Sequence, residues 1–308
     1  MSKSTHVLGV TAILMLAAPS IANAEPTCPT DYNVITGTSG DDTLIGTSGN
    51  DCIIGKGGDD IIDGLEGDDV IYGGNGNDII YGGLGADSIN GNDDDDIIFG
   101  DDGSGTGSGD GDDWIVGNGG DDWIDGGDGE DYIKGGDGDD ELYGGGGNDW
   151  MLGSGGEDVM AGDTESDVVR GGDADDVLCG DDGLDELKGG DGPYDRLHGG
   201  DGPDILRDSS GASAVHGGGD DDDIQITWPA GWLNEWGYPW LVGAVSGGSG
   251  DDDVRLTIDS TNPDFYILAY GDDGYCSSAN DGTADYIRVT GPLHAWSAFP
   301  DFETVDLR

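Results

Sequence analysis

The amino-acid sequence predicts an all-β solenoid, and three observations support this fold class. The stretch from Gly117 to Lys188 divides into eight consecutive nine-residue blocks with no residue gained or lost. Every block has Gly at position 1, Asp at position 6 and an apolar residue at position 8, as in GGDGEDYIK and GGGGNDWML. Large apolar side chains are sparse outside these positions, so we do not expect one globular core. A short fixed period of this kind indicates a solenoid.

The composition narrows the classes of partner. The chain of 308 residues contains 64 Gly, 67 Asp plus Glu and only 10 Lys plus Arg, which gives a formal net charge of −57. On composition alone, the alternative to a solenoid is a disordered acidic tract. This charge repels phosphate, so nucleic acid is not an expected partner. Cations are the expected partners.

The N-terminal segment predicts export. Residues 1–24 combine an early Lys3, an apolar stretch at 7–18 and an Ala-Asn-Ala motif at 22–24, which is the pattern of a secretory signal peptide. We expect cleavage after Ala24 and a secreted, extracellular protein, with the periplasm or the cell surface as alternatives. No later stretch is apolar enough for a transmembrane segment.

The four cysteines of the chain predict disulfides. An even number of cysteines in an exported chain favours two disulfides, although three pairings are open. Proximity in sequence favours Cys28–Cys52 and Cys179–Cys276. Free thiols are the alternative.

The chain divides around the repeat array. Residues 25–36 form a short lead, and the nonapeptide repeats occupy 37–225. An insertion of eight residues at 100–107 is confined to one turn, so we interpret it as an enlarged loop. Residues 226–308 contain a Trp-rich insertion, one further repeat and strand-like runs, and we interpret them as a β-rich C-terminal cap.

The repeats resemble those of the repeats-in-toxin (haemolysin-type) calcium-binding proteins, whose motif is G-G-x-G-x-D-x-U-x with U apolar. The resemblance implies a right-handed parallel β-roll in which six residues form a turn, three form a strand and two repeats form one coil. It also implies several Ca²⁺ ions between turns of successive coils, each shared by position-6 Asp side chains 18 residues apart, with turn carbonyls completing the shell. The implied metal ligands are Asp42, Asp51, Asp60, Asp69, Asp78, Asp87, Asp96, Asp113, Asp122, Asp131, Asp140, Asp149, Asp158, Asp167, Asp176, Asp185, Asp204, Asp222 and Asp252.

The residue types suit calcium independently of the resemblance. Glycines at positions 1, 2 and 4 permit a tight backbone that turns carbonyl oxygens toward an ion. Carboxylate and carbonyl oxygens form the flexible shell that Ca²⁺ prefers, whereas Mg²⁺ demands a stricter octahedron. Position 8 of the strand points inward, and positions 7 and 9 point outward. Because the stacked carboxylates repel without metal, we expect the metal-free chain to be largely unfolded and Ca²⁺ to supply the folding free energy.

One outward face carries a candidate glycan contact. With two repeats per coil, Trp114, Tyr132 and Trp150 form a column at position 7, and Lys134 and Arg170 lie at position 9 of the same face. Aromatic rings flanked by cations suit an acidic polysaccharide or a cell-surface glycan. The alternative is that these aromatics stack across rungs for stability alone.

A second aromatic cluster lies after the array, where Trp228, Trp232, Trp236 and Trp240 recur every four residues among prolines and glycines. These helix-breaking residues argue against a regular helix. We interpret the cluster as a hydrophobic plug over the last coil, with ligand binding as the alternative.

The sequence does not favour catalysis. The resembling family places its proteases, lipases and polysaccharide-modifying enzymes ahead of the repeats, whereas about a dozen mature residues precede them here. We therefore expect an exported calcium-binding protein that acts as an extracellular structural or interaction module, and not an enzyme. The alternatives are a glycan-binding or adhesive surface protein and, less favoured, a polysaccharide-modifying enzyme.

Overall fold

The structure is a computed structural model that describes residues 26–101, 111–192, 194–209, 214–228, 241–248, 252–258, 266–269, 285–290 and 302–307. The predicted signal peptide, most of the predicted enlarged loop, Cys276 and the tryptophans Trp232, Trp236 and Trp240 lie outside these residues. All regular elements of the described part are β-strands. No helix that is long and apolar enough to cross a membrane occurs there.

The strands form two sheets. Sheet A contains β1 Asn33–Thr36, β3 Asp51–Gly57, β5 Val70–Asn75, β7 Ser88–Asp93, β9 Trp114–Gly119, β11 Tyr132–Asp137, β13 Trp150–Gly155, β15 Val168–Asp173, β17 Glu186–Gly190, β19 Ile205–Asp208, β21 Asp223–Trp228, β23 Asp253–Ile258, β25 Asp285–Thr290 and β26 Phe302–Leu307. Sheet B contains β2 Thr43–Ile45, β4 Ile61–Asp63, β6 Ile79–Tyr81, β8 Ile97–Phe99, β10 Trp123–Asp128, β12 Glu141–Gly146, β14 Val159–Thr164, β16 Val177–Asp182, β18 Arg196–Asp201, β20 Ala214–Gly219, β22 Leu241–Gly248 and β24 Tyr266–Ala269.

The chain alternates between the two sheets as it proceeds. From β1 to β23, each strand pairs in parallel with the strand two places later, for example β11 with β13 and β10 with β12. One strand of each sheet and the two turns between them therefore make one coil. This arrangement confirms the predicted all-β parallel solenoid with two repeats per coil.

The register between coils is kept across two breaks in the nine-residue period. Trp114 pairs with Ser88 across the insertion at 100–107, and Val215 pairs with Val245 across the Trp-rich segment. In the sequence, both insertions fall between consecutive strands, so the described strands keep their pairing. The final strands continue the two sheets, and the role of 226–308 as a cap stays a prediction.

The core is a single file of position-8 side chains between the two sheets. Ile53, Ile71 and Ile133 of sheet A and Ile62 and Ile124 of sheet B are fully buried, as are their equivalents in most other coils. Each buried aliphatic side chain contributes about 1.5–3 kcal/mol. One such side chain for every nine ordered residues is a thin core, so the fold depends on further interactions in the turns.

A disulfide ties the N-terminal lead to the array. Cys28 and Cys52 are bonded, with Cα atoms 5.6 Å apart, which confirms the first predicted pairing. Cys52 is the second residue of β3, next to Ile53 in the core. Cys179 is not a free thiol, and its predicted pairing with Cys276 remains a prediction because Cys276 lies outside the described residues.

Candidate metal centre

The position-6 aspartates form two columns, one along each set of turns. Each aspartate directly precedes a strand, except Asp51, which is the first residue of β3. The parallel register of the strands therefore aligns the aspartates as well. Column A precedes sheet A and contains Asp51, Asp69, Asp87, Asp113, Asp131, Asp149, Asp167, Asp185, Asp204, Asp222 and Asp252. Column B precedes sheet B and contains Asp42, Asp60, Asp78, Asp96, Asp122, Asp140, Asp158, Asp176 and Asp195. The structure thus brings all nineteen aspartates predicted from the sequence into these two columns.

Asp195 is a column member that the sequence reasoning missed. It lies in the block GGDGPYDRLH, which has ten residues instead of nine. Its Oδ1 accepts a hydrogen bond from the backbone N–H of Asp176 at 2.9 Å, as in every other coil of column B. The signal was available in the sequence, because the block keeps its leading glycines and places Leu197 two residues after the aspartate.

One carboxylate oxygen of each aspartate links neighbouring coils. The backbone N–H of Asp113 donates to Oδ1 of Asp131 at 2.7 Å, and the N–H of Asp131 donates to Oδ1 of Asp149 at 2.8 Å. The same bond crosses the eight-residue insertion, from the N–H of Asp87 to Oδ1 of Asp113 at 2.7 Å. These bonds hold each carboxylate in one orientation.

The second carboxylate oxygen is buried and lacks a donor. Within the described part of the chain, Oδ2 has no hydrogen-bond partner in Asp60, Asp69, Asp78, Asp87, Asp96, Asp113, Asp122, Asp131, Asp140, Asp149, Asp158, Asp167, Asp176, Asp185, Asp204 and Asp222. An unpaired charged oxygen away from water is costly, and proteins keep such groups where they bind an ion.

The position-1 glycine leaves space beside this oxygen. A Cβ at Gly117 would lie 2.1 Å from Oδ2 of Asp122 and 3.0 Å from the carbonyl oxygen of Gly135 in the next coil. A Cβ at Gly144 would lie 2.4 Å from Oδ2 of Asp149 and 2.8 Å from the equivalent carbonyl oxygen. Carboxylate and carbonyl oxygens from successive coils therefore face one small space. This donor set fits Ca²⁺.

The electrostatics of the two aspartate columns also favour a bound cation. Burial raises the pKa of Asp113 to about 9, the hydrogen bond from the N–H of Asp87 lowers it, and the carboxylates of Asp87 and Asp131 raise it. Nearer the N-terminal end, burial raises the pKa of Asp69 to about 6. Without a cation, the folded columns disfavour ionised carboxylates, and a bound divalent cation would reverse that preference.

The first turn of each column is built differently. The N–H of Thr38 donates to Oδ2 of Asp42 at 2.6 Å, and the N–H and Oγ1 of Thr47 donate to Oδ2 of Asp51 at 2.5 and 2.9 Å. Neither threonine has a positive φ, whereas the next residue at position 2, Lys56, has a φ of 88°. In these two turns the chain itself supplies the donors that later turns lack.

The predicted aromatic column is present on sheet A. The rings of Trp114 and Tyr132 stack at 3.8 Å between centroids, and those of Tyr132 and Trp150 at 4.7 Å. The guanidinium of Arg170 lies 5.5 Å from the ring centroid of Trp150. The faces between these rings are covered by the neighbouring rings, so the column presents mainly ring edges to a ligand.

Comparison with known proteins agrees with this geometry. The family model of the RTX calcium-binding nonapeptide repeat matches residues 33–62, 54–89, 72–106, 108–142, 125–160, 152–187 and 195–225. The fold is similar to the X-ray crystal structure of a hyperactive, Ca²⁺-dependent, β-helical antifreeze protein from an Antarctic bacterium, with a TM-score of 0.58 and 17% sequence identity over 92% of this chain and 94% of that chain. No curated protein matches the chain. Because the family model covers well over half of its residues, the chain belongs to the RTX calcium-binding nonapeptide repeat family.

Proposed function

We propose that this is an exported protein whose solenoid folds when several Ca²⁺ ions bind to its two aspartate columns. The folded solenoid then serves outside the cell as a structural or interaction module. The observation that carries this proposal is the file of buried Oδ2 atoms without donors, repeated through both columns of the described structure. A bound cation would give each of these oxygens the partner that the chain does not supply.

The repulsion within a column shows why folding would depend on the ion. Adjacent rungs of a sheet lie about 4.8 Å apart. Two carboxylates at about 5 Å repel by roughly 3 kcal/mol at an effective dielectric constant of about 20. A few such contacts equal the roughly 5–15 kcal/mol by which ordinary domains are stable. An ion between the turns replaces this repulsion with attraction, so its binding free energy becomes folding free energy.

Export is supported by the chemistry of the chain. The predicted signal peptide at 1–24 and the Cys28–Cys52 disulfide both suit an oxidising compartment. Extracellular calcium modules bind the ion at about 10⁻⁴–10⁻³ M. Such affinity would keep the chain unfolded in the cytosol and fold it outside the cell.

A calcium titration followed by circular dichroism tests the proposal. We expect metal-free protein to lack most of its strand signal and to gain it cooperatively at submillimolar to millimolar Ca²⁺. The matched control is the same titration with Mg²⁺, which should not produce the transition because its octahedral shell fits the turns poorly. Full strand content in excess chelator would refute the proposal.

The outer face of sheet A favours glycan binding as a second candidate function. The stacked column of Trp114, Tyr132 and Trp150 remains a candidate contact, through ring edges and the indole and phenol polar groups. We propose no catalytic role for the chain.

A further inference from the structure

The position-9 register of sheet A contains most of the Lys and Arg residues of this acidic protein. At position 9 of successive coils, the backbone register runs Lys134, Leu152, Arg170, Lys188, Arg207, Gln225, Arg255 and Arg288. Six of the ten Lys and Arg residues of the chain therefore lie in one file. We call these six residues the cationic column.

The C-terminal part of this column is partly neutralised by acids of the same face. Arg207 Nη1 lies 2.8 Å from Oε1 of Glu186, and Arg255 Nη1 lies 2.9 Å from Oδ1 of Asp223. The side chains of all four residues are between 37% and 41% exposed. Such exposed pairs contribute little to stability, so they compensate charge more than they hold the fold.

Arg170 and Lys188 are not neutralised in this way. Both are exposed and occupy adjacent rungs, and neither forms an ion pair with any described residue. Like charges opposite each other on neighbouring strands destabilise a sheet. The chain has 67 acidic residues, yet none of those described pairs with these two cations.

The opposite face differs. The equivalent column of sheet B includes Asp125, Tyr143, Ala161, His198 and His216, and its described residues include no Lys or Arg. The concentration of cations is thus a property of one face and not of the solenoid as a whole.

We propose that the cationic column binds a linear anionic polysaccharide, carboxylated or sulfated, along the length of sheet A. A file of cations that is interrupted only at Leu152 and Gln225 fits an extended polymer that carries charges along its length. Next to it, the edges of Tyr132 and Trp150 present O–H and N–H groups suited to sugar hydroxyls. The polar groups of the rings beside the column suit sugar hydroxyls, and they favour a glycan over a nucleic acid as the occupant. This inference goes beyond calcium-dependent folding but uses the folded, calcium-loaded chain as its scaffold.

The test compares binding by the calcium-loaded, full-length protein and two variants. The probes are heparin as a sulfated glycan, polygalacturonate as a carboxylated glycan, dextran as a neutral one, and single-stranded DNA. Isothermal titration should show binding of at least one anionic glycan, weakened by added salt, and none of dextran. The double variant Arg170→Gln/Lys188→Gln should lower that affinity by about tenfold. The matched control Arg196→Gln removes a cation at position 7 of sheet B and should leave the glycan affinity unchanged.

Several outcomes would overturn the inference. It fails if neither anionic glycan binds, if the sheet A and sheet B variants weaken binding equally, or if DNA binds more tightly than either glycan. Which of heparin and polygalacturonate binds more tightly identifies sulfate or carboxylate as the recognised group. Circular dichroism of the same samples distinguishes a failure of glycan binding from a failure of calcium-dependent folding. A protein that has full strand content but binds no glycan would contradict the role of the cationic column and leave the proposed function intact.

Discussion

The same substitution at two glycines of one repeat should have opposite effects. Gly117 and Gly119 are positions 1 and 3 of the repeat that contains Asp122, and both lie at the end of β9. Neither glycine has a positive φ, so alanine is compatible with the backbone at both positions. The difference lies in what the added methyl group meets.

At position 1 the methyl group enters the candidate metal site. The Cβ of Gly117→Ala would lie 2.1 Å from Oδ2 of Asp122, where an ordinary contact needs well over 3 Å. Asp122 is 2% exposed and the nearby Gly135 carbonyl belongs to a strand, so neither moves freely. Overpacking of this kind costs about 1–3 kcal/mol. Displacement of the carboxylate oxygen from the ion adds to that cost.

At position 3 the methyl group meets nothing within 4 Å. Gly119→Ala therefore adds no clash and restricts only the unfolded chain, which stabilises by about 0.4–1 kcal/mol. The expected free-energy difference between the two variants is thus about 1.4–4 kcal/mol.

Calcium titration by circular dichroism and thermal unfolding in saturating Ca²⁺ measure both effects. Gly117→Ala should raise the calcium midpoint and lower the melting temperature, whereas Gly119→Ala should leave the midpoint unchanged or slightly lower. The reasoning is refuted if Gly117→Ala leaves the calcium midpoint unchanged, or if Gly119→Ala destabilises the protein as much.

Three further predictions concern the columns and the lead. Asp149→Asn should reduce the number of Ca²⁺ ions bound in isothermal titration, and Asp42→Asn should reduce that number less. Of these two aspartates, Asp42 has a backbone donor for Oδ2 and Asp149 has none, so equal losses would contradict this. Because burial raises the pKa of Asp113 to about 9, metal-free protein should gain strand content as the pH falls from about 9 toward the ordinary Asp value of about 3.9, and lose it as the pH rises. A metal-free circular dichroism series showing the opposite trend would exclude this. Replacing Cys28 and Cys52 with Ser opens a loop with a sequence separation of 24. The free energy of unfolding by denaturant in saturating Ca²⁺ should fall by about 3 kcal/mol. An unchanged free energy of unfolding would show that the lead adds no constraint.

The prediction from sequence succeeded where information is local. Each nine-residue block carries its own turn glycines, acidic side chain and inward apolar residue, so the period indicated a solenoid. The resemblance to the repeats-in-toxin proteins then implied two repeats per coil and the alignment of aspartates 18 residues apart. It failed at Asp195, because one extra residue in the turn broke the count while the strand register was maintained.

The sequence by itself therefore determined the fold class, the file of buried position-8 side chains and the alignment of nineteen aspartates, since these follow from one repeated local pattern. Only the tertiary structure decided how the two oxygens of each carboxylate differ, which turns supply their own donors, and that the aromatic rings cover one another's faces. It also revealed the full cationic column, whose members are 18 or more residues apart in the chain. The physical reason is that these properties arise between coils. There the inter-strand hydrogen bonds set the register, and insertions between strands alter the sequence spacing without altering that register.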